Sequence, residues 1–319
     1  MSGRLPPLPR GSTVTVGSFD GVHLGHAAVL YEIARRATAA GRASVLVTFE
    51  PHPLEVVNPQ AAPPLLTTDP ERREILAQLP LDYVLFLRFD RRLAGYSPEQ
   101  FVDRVLRERC DMRELVIGHD HGFGRGRSGD VETLRRLGAE RGFAVDVVQV
   151  VDVGDQHVSS SRIRRAVAGG DLATAARMLG RPYTVSGQVR EGERRGRLLG
   201  VPTINLSDVP PQKLLPPDGV YAVRVEWRGG RAEGMMNQGP KPTFQDGRRS
   251  LEAHLFGFTG NLYGEWVRIE WVERLRDVER FASIEALQQQ LERDRARANE
   301  VFAAARPAPS RPPQPEIQT

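Results

Sequence analysis

Short apolar runs alternate with segments of helical spacing over the first 180 residues. The runs are apolar at nearly every position, which is typical of parallel strands covered by helices on both faces. We therefore predict an α/β domain built on a parallel sheet. The predicted strands are 14–16, 44–49, 83–87, 114–118 and 145–150, and the predicted helices cover about 27–36, 69–79, 97–109 and 130–141.

Beyond about residue 181 the pattern changes to alternation of polar and apolar positions. Val220–Trp227 and Trp266–Val272 are examples, and such a period of two over short strands indicates an antiparallel barrel. We expect a helix from about Ile284 to Ala305 to close the barrel. The predicted domains are 1–180 and 181–305, followed by a Pro-rich tail, 306–319, that we expect to be disordered.

Composition narrows the class of protein. The formal net charge is +4 and the only lysines are Lys213 and Lys241, so no G-x-x-x-x-G-K-[ST] nucleotide-binding loop is present. The single cysteine, Cys110, excludes an internal disulfide and a thiolate metal cluster. No apolar run is long enough to span a membrane, and no signal-peptide core opens the sequence. We expect a cytoplasmic protein without a membrane partner.

The sequence G-S-F-D-G-V-H-L-G-H follows the first predicted strand and opens the first predicted helix. A helix N-terminus attracts phosphate, and the imidazoles of His23 and His26 could donate hydrogen bonds to phosphate oxygens beside it. Gly25 leaves room for a nucleotide against the backbone. Such a site suits nucleotidyl transfer, because charge grows on the α-phosphate as pyrophosphate leaves. A zinc pair is the alternative, although H-E-x-x-H sites space their histidines by four and this pair has no Cys or carboxylate cluster beside it.

A second candidate phosphate motif, S-S-S-R-I-R, begins at Ser159 and precedes a short helix. Hydroxyls at a helix start are common caps, and capping is the alternative interpretation. Three hydroxyls with two arginines exceed what a cap needs. We expect Ser160, Ser161 and Arg164 to hold phosphate oxygens opposite the two histidines.

The order of these blocks resembles the bacterial bifunctional riboflavin kinase/FAD synthetase family. The resemblance rests on G-S-F-D-G-V-H-L-G-H, T-F-E-P-H-P from Thr48, I-G-H-D-H-G-F-G-R-G-R-S-G from Ile117, and S-S-S-R-I-R. It covers about residues 12–305. It implies that the first domain is nucleotidyltransferase-like and moves AMP from ATP to FMN, giving FAD and pyrophosphate. The residues it implies for ATP are Gly17, Phe19, Asp20, His23, His26, Ser160, Ser161 and Arg164.

The second domain carries its own part of the resemblance. G-V-P-T-I-N from Gly200 matches the family's G-x-P-T-x-N, and Thr203 and Asn205 are two apart, so an extended chain turns them to the same side. A hydroxyl and an amide oxygen suit Mg²⁺ that carries ATP phosphates. The resemblance implies that Glu252 is the base that takes the proton of the riboflavin 5′-hydroxyl. It further implies Mg²⁺ as the metal, ATP as co-substrate, and FMN and FAD as products.

An alternative is a single-function nucleotidyltransferase, acting on a mononucleotide or on pantetheine phosphate, with the barrel as a binding module. It would explain residues 12–180 but leave G-V-P-T-I-N and Glu252 without a role. A class I aminoacyl-tRNA synthetase also has a histidine pair at a helix start, but the lysine loop that it needs is missing here. We expect riboflavin, FMN and ATP as partners, no nucleic acid, and no protein partner that the sequence identifies.

Overall fold

The computed structural model describes residues 5–118, 130–149, 152–153, 156–191, 202–240 and 249–304. Contacts divide the described residues into two compact units, of which the first ends at Ser160 and the second begins at Ser161. The block after Gly118 that carries part of the family resemblance, Gly200 and Val201 of G-V-P-T-I-N, and the predicted disordered tail lie outside the described residues. Among the helices described, none is both long and apolar enough to cross a membrane.

The first unit is a parallel sheet whose strands follow the order β3-β2-β1-β4-β5. All five predicted strands are confirmed. The strands are β1 (Ser12–Val16), β2 (Ala43–Glu50), β3 (Tyr83–Arg88), β4 (Met112–Gly118) and β5 (Ala144–Val148), and the pair β6 (Asp152–Val153) and β7 (Gln156–His157) forms a separate hairpin.

Both faces of this sheet are buried, as continuous apolar strands predict. Val45 and Val47 of β2 pack into one core cluster, whereas Leu46 between them packs into the cluster on the opposite face. The helices are α1 (Leu24–Ala40), α2 (Pro53–Val57), α3 (Asp69–Leu76), α4 (Arg91–Ala94), α5 (Pro98–Phe101), α6 (Glu108–Cys110) and α7 (Val131–Arg141). The predicted helix at 97–109 contains a π-helical stretch, Val102–Arg107.

The second unit is a closed antiparallel barrel with the strand order β10-β11-β12-β9-β8-β13. This confirms the predicted barrel. Two helices precede it, α8 (Ser160–Ala168) and α9 (Leu172–Leu179). The strands are β8 (Thr184–Arg190), β9 (Ile204–Ser207), β10 (Gly219–Trp227), β11 (Gly230–Pro240), β12 (Arg249–Leu255) and β13 (Trp266–Arg276).

The C-terminal helix α10 (Ile284–Ala304) packs on the outside of the barrel, where Ala298 and Val301 meet Ala222. Its buried face includes a carboxylate, Asp294, which is 3% exposed. Arg276 of β13 binds both oxygens of Asp294 at 2.8–3.1 Å. A carboxylate can therefore be buried on the packed face of a helix when an arginine is paired with it. The spacing of apolar residues alone does not predict such a position.

Candidate active sites

The turn that carries His23 and His26 lies at the carboxyl end of β1, and helix α1 begins directly after it. The order β3-β2-β1-β4-β5 reverses direction between β1 and β4. In open α/β sheets, ligands bind at the carboxyl ends of the strands beside such a reversal. The topology therefore places the predicted phosphate motif at the edge of the sheet where a nucleotide site is expected.

His23 caps helix α1 with its own imidazole. Its Nδ1 accepts a hydrogen bond from the N–H of His26 at 3.2 Å. A nitrogen that accepts carries no proton, so Nε2 is the nitrogen of the neutral ring that can donate. The two imidazoles are stacked, with centroids 3.6 Å apart, and the ring of Phe19 lies 4.7 Å from that of His26. The histidines thus form one ordered group at the positive end of the helix.

Asp20 is 2% exposed and anchors the turn to a neighbouring loop. Its carboxylate accepts hydrogen bonds from the N–H groups of Leu66 and Thr67, each at 2.9 Å. The Thr67 hydroxyl donates to Asp20 at 3.0 Å and accepts from the N–H of Gly21 at 3.0 Å. These contacts give Asp20 a positioning role, and a direct contact of Asp20 with ATP stays a prediction.

The backbone of this turn is strained. Phe19, Gly21 and Val22 have φ values of 49°, 82° and 36°. A β-branched residue such as valine rarely adopts positive φ, and such a conformation costs about 1–3 kcal/mol. The side chains of Phe19 and Val22 offset this cost by packing in the core with Leu30 and Ile33. Strain that the surrounding core maintains is typical of functional turns.

Gly17 and Gly25 leave space for aromatic side chains of the same turn. A Cβ on Gly17 would lie 2.9 Å from the Phe19 ring, and one on Gly25 would lie 3.2 Å from the His23 imidazole. In the structure the nearest neighbour of a Cβ at Gly25 would be the imidazole that caps the helix, so Gly25 leaves space for His23. The contact of Gly25 with a nucleotide stays a prediction.

The serine motif begins beside the same turn. The Ser160 hydroxyl donates to the backbone carbonyl of Asp20 at 3.2 Å. Ser161 is exposed and Arg164 is half-buried, and both lie in the first turns of α8. This contact places Ser160, the last residue of the first unit, beside the turn that carries the histidines. The binding of phosphate by Ser161 and Arg164 stays a prediction.

Two residues of this region escaped the sequence analysis. Thr67 ties Asp20 to Gly21, as described above. Arg72, which is 4% exposed, donates to the carbonyls of Ser18 and Phe49, each at 2.8 Å. It thereby joins the segments that follow β1 and end β2. The predicted helix at 69–79 begins at the residue where α3 begins, after the T-x-x-E capping box, but no sequence signal distinguishes Arg72 from an exposed helical arginine.

The second candidate site lies on strands β9 and β12 of the barrel. Asn205 is paired with Glu252 in antiparallel register, and Asn237 of β11 continues the same row on the other side of Glu252. Directly opposed residues of an antiparallel pair share one face of the sheet, with Cβ atoms about 4.5–5.5 Å apart. The barrel therefore brings the predicted metal ligand and the predicted base together.

The residues present fit a magnesium ion. Asn205 Oδ1 is buried and accepts no hydrogen bond from the part of the chain that the structure describes. A buried acceptor left unsatisfied is costly, and an amide oxygen is a hard ligand of the kind that Mg²⁺ takes. Thr203, half-buried, lies one residue before β9. Among the described side chains, no group of three His, Cys, Asp or Glu residues could hold a metal alone.

Close relatives cover nearly the whole chain. A bifunctional riboflavin kinase/FMN adenylyltransferase from Pseudomonas fluorescens is 38% identical over 300 residues, which are 94% of this chain and 96% of the relative. The protein of the same name from Escherichia coli K12 is 37% identical over 93% of this chain and 95% of its own length. A crystal structure described as a macrolide-efflux protein from Streptococcus pneumoniae has a TM-score of 0.80 and 29% identity, and it covers 91% of this chain and 94% of its own.

Both units match established protein families. The family described as FAD synthetase matches residues 5–162, and the family described as riboflavin kinase matches residues 179–302. Together the two families account for both activities in the relatives' shared name. The chain therefore belongs to the bifunctional riboflavin kinase/FMN adenylyltransferase family, whose members make FMN and FAD.

Proposed function

We propose that the barrel phosphorylates riboflavin with Mg-ATP and that the first unit then joins the FMN product to AMP. The observation that carries the first step is the pairing of Asn205 with Glu252 across β9 and β12. The stacked pair of histidines at the start of α1, where His23 caps the helix, supports the second step. The partners are riboflavin, FMN and ATP, and the compartment is the cytoplasm, where ATP is available.

In the kinase step, Glu252 accepts the proton of the riboflavin 5′-hydroxyl as its oxygen bonds to the γ-phosphorus and ADP leaves. A carboxylate within hydrogen-bond reach of a hydroxyl is suited to this role. Thr203 and Asn205 would hold Mg²⁺, which neutralises phosphate charge when it is bound. Phosphoryl transfer depends mainly on positioning and charge, so a ligand such as Asn205, held in register on a paired strand, suits the reaction.

In the adenylyl step, a phosphate oxygen of FMN bonds to the α-phosphorus of ATP and pyrophosphate leaves. His23 and His26 donate hydrogen bonds to phosphate oxygens and remain unmodified. Donors that are already ordered before the reaction stabilise developing charge without reorganisation. Ser160, Ser161 and Arg164 grip the pyrophosphate end, and Gly17, Phe19 and Asp20 shape the turn that receives the nucleotide.

The test is a time course of riboflavin with Mg-ATP and the purified full chain, resolved by chromatography. We expect FMN to appear first and FAD to follow, and supplied FMN to become FAD without riboflavin. Omitting Mg²⁺ and adding a chelator should stop FMN formation. Formation of FAD from FMN with no phosphorylation of riboflavin would favour the single-function alternative instead.

We further propose that the two activities are separable near residue 181. Contacts assign α8 and α9 to the same compact unit as the barrel, and α9 buries Leu172, Ala175, Met178 and Leu179. A fragment 161–305 should therefore melt at a higher temperature than a fragment 181–305. Both should form FMN and neither should form FAD. A 161–305 fragment that folds but cannot phosphorylate riboflavin would contradict the division of labour.

A further inference from the structure

Residues 202–205, the P-T-I-N part of the motif, are joined to strand β12, which carries Glu252, by a short backbone ladder. In the part of the chain that the structure describes, two residue pairs join β9 to β12, Asn205 with Glu252 and Ile204 with Ala253. Thr203 lies just outside this ladder, before β9 begins. The ladder to β12 therefore positions Asn205 directly, whereas Thr203 lies one residue beyond the last described pair.

Beyond the end of the ladder, a side chain of β12 forms a hydrogen bond to this segment. His254 of β12 is 8% exposed, and its Nδ1 lies 2.8 Å from the carbonyl oxygen of Pro202. A carbonyl can only accept, so the Nδ1–H of His254 donates. Pro202 has no N–H with which to extend a ladder. The imidazole thus gives this segment a hydrogen bond to β12 beyond the last pair of the ladder.

The imidazole is itself fixed in place. Met235 of β11 lies opposite His254 in the strand register, and the ring of Phe256 meets the imidazole edge-on at 5.7 Å between centroids. A buried ring confined in this way keeps its donor aimed at one acceptor. Thr203 is consequently restrained from both sides, by Pro202 on one and by the Ile204 pairing on the other.

We propose that His254 is a positioning residue of the kinase site, which sets the place of Thr203 for Mg-ATP through the carbonyl of Pro202. The proposal rests on the proposed role of Thr203 in holding Mg-ATP. His254 is two residues from Glu252 on β12, so one strand carries both the base and the residue that positions the metal-binding segment. His254 touches neither riboflavin nor the phosphates in this assignment.

The test uses the full chain and three variants at His254. In H254N the amide nitrogen can occupy the place of Nδ1, whereas in H254Q it reaches the place of Nε2, and H254L has no donor. We expect the KM for Mg-ATP in riboflavin phosphorylation to rise about tenfold in H254L and H254Q, the scale of one lost hydrogen bond. H254N should stay within about twofold of the natural protein, which a purely structural role of the ring would not explain. Met235→Leu, which alters packing beside the ring and keeps the donor, is the matched control.

A double-mutant cycle with Thr203→Ala distinguishes this proposal from the one on which it rests. If His254 acts through Thr203, adding H254L to Thr203→Ala should raise the KM for Mg-ATP by less than twofold. If Thr203→Ala alone leaves that KM unchanged, the proposed role of Thr203 fails. An unchanged KM in soluble H254Q, or an H254N variant as impaired as H254Q, would overturn the role of His254. Conversion of supplied FMN to FAD should be normal in every variant.

Discussion

Glu252 and Asn205 lie directly opposite each other on two antiparallel strands of the barrel. The pairing places a carboxylate beside an amide oxygen that is buried and accepts no hydrogen bond from the described residues. Neither residue is near the other in sequence, and strand register alone creates their proximity. This relationship supplies a base and a metal ligand on one face, and it yields the first two predictions.

Glu252→Gln should reduce riboflavin phosphorylation by about 10²–10⁴-fold, the usual contribution of a positioned base. Glutamine keeps the shape of the side chain and removes its basicity. The measurement is FMN formation under saturating Mg-ATP. Glu226→Gln, at an exposed carboxylate of β10, is the control and should be normal. Near-normal turnover by Glu252→Gln would show that Glu252 is not the base of the reaction.

Asn205→Ala should raise the Mg²⁺ concentration needed for half-maximal riboflavin phosphorylation by about tenfold, because one hard ligand is lost. The measurement is a Mg²⁺ titration at fixed ATP. Ser207→Ala, on the same strand, removes a hydroxyl that donates to the Gln188 carbonyl and should leave the titration unchanged. Equal effects of the two changes would point to strand β9 as a whole and against Asn205 as a ligand.

His26→Ala should slow FAD formation from supplied FMN by about two orders of magnitude, the scale of one lost preorganised donor. Riboflavin phosphorylation in the same preparation should be unaffected. His157→Ala removes an exposed histidine of the β6–β7 hairpin and serves as the control. No adenylylated enzyme should be detectable by mass spectrometry, and loss of both activities together would contradict the assignment of His26.

Asp20→Ala should lower the free energy of unfolding of the first unit by about 3 kcal/mol, because the buried N–H groups of Leu66 and Thr67 lose their acceptor. FAD formation should fall as the strained turn relaxes. Thr67→Val removes the hydroxyl that joins Asp20 to Gly21 and should reproduce part of both effects. Denaturant unfolding and FAD formation from FMN measure them. A stable Asp20→Ala protein would show that the turn does not depend on this anchor.

Burial raises the pKa of the Cys110 thiol to about 12, against a weak opposing effect of Arg109. The native thiol should therefore react with alkylating reagents at pH 8 at least about 10³-fold more slowly than the unfolded one. Between about pH 9 and pH 12 the native state holds a proton that the unfolded state has lost, so this contribution to stability decreases as pH rises. Cys110→Ala should flatten that part of the pH profile. Rapid labelling under native conditions would contradict the burial.

The sequence by itself determined the fold class of both units and the five strands of the parallel sheet. Continuous apolar runs such as Val45–Val47 could be satisfied only by burial on both faces, and the alternation in Val220–Trp227 only by a sheet with two different faces. The position of His23 at the start of α1 followed equally from local signals, since strand, turn and helix succeed each other within one short segment. Local propensity and hydrophobic period depend on residues that are neighbours in sequence, so they can be identified without the tertiary structure.

Only the tertiary structure decided which distant residues meet. The register of β9 against β12 places Asn205 opposite Glu252, and a shift by one residue would turn one of them to the other face. The anchoring of Asp20 by Thr67 and the contact of His254 with Pro202 likewise depend on loops that pack from elsewhere in the chain. Such contacts have no period in the sequence, because they arise from how whole elements pack and not from the preferences of any one segment.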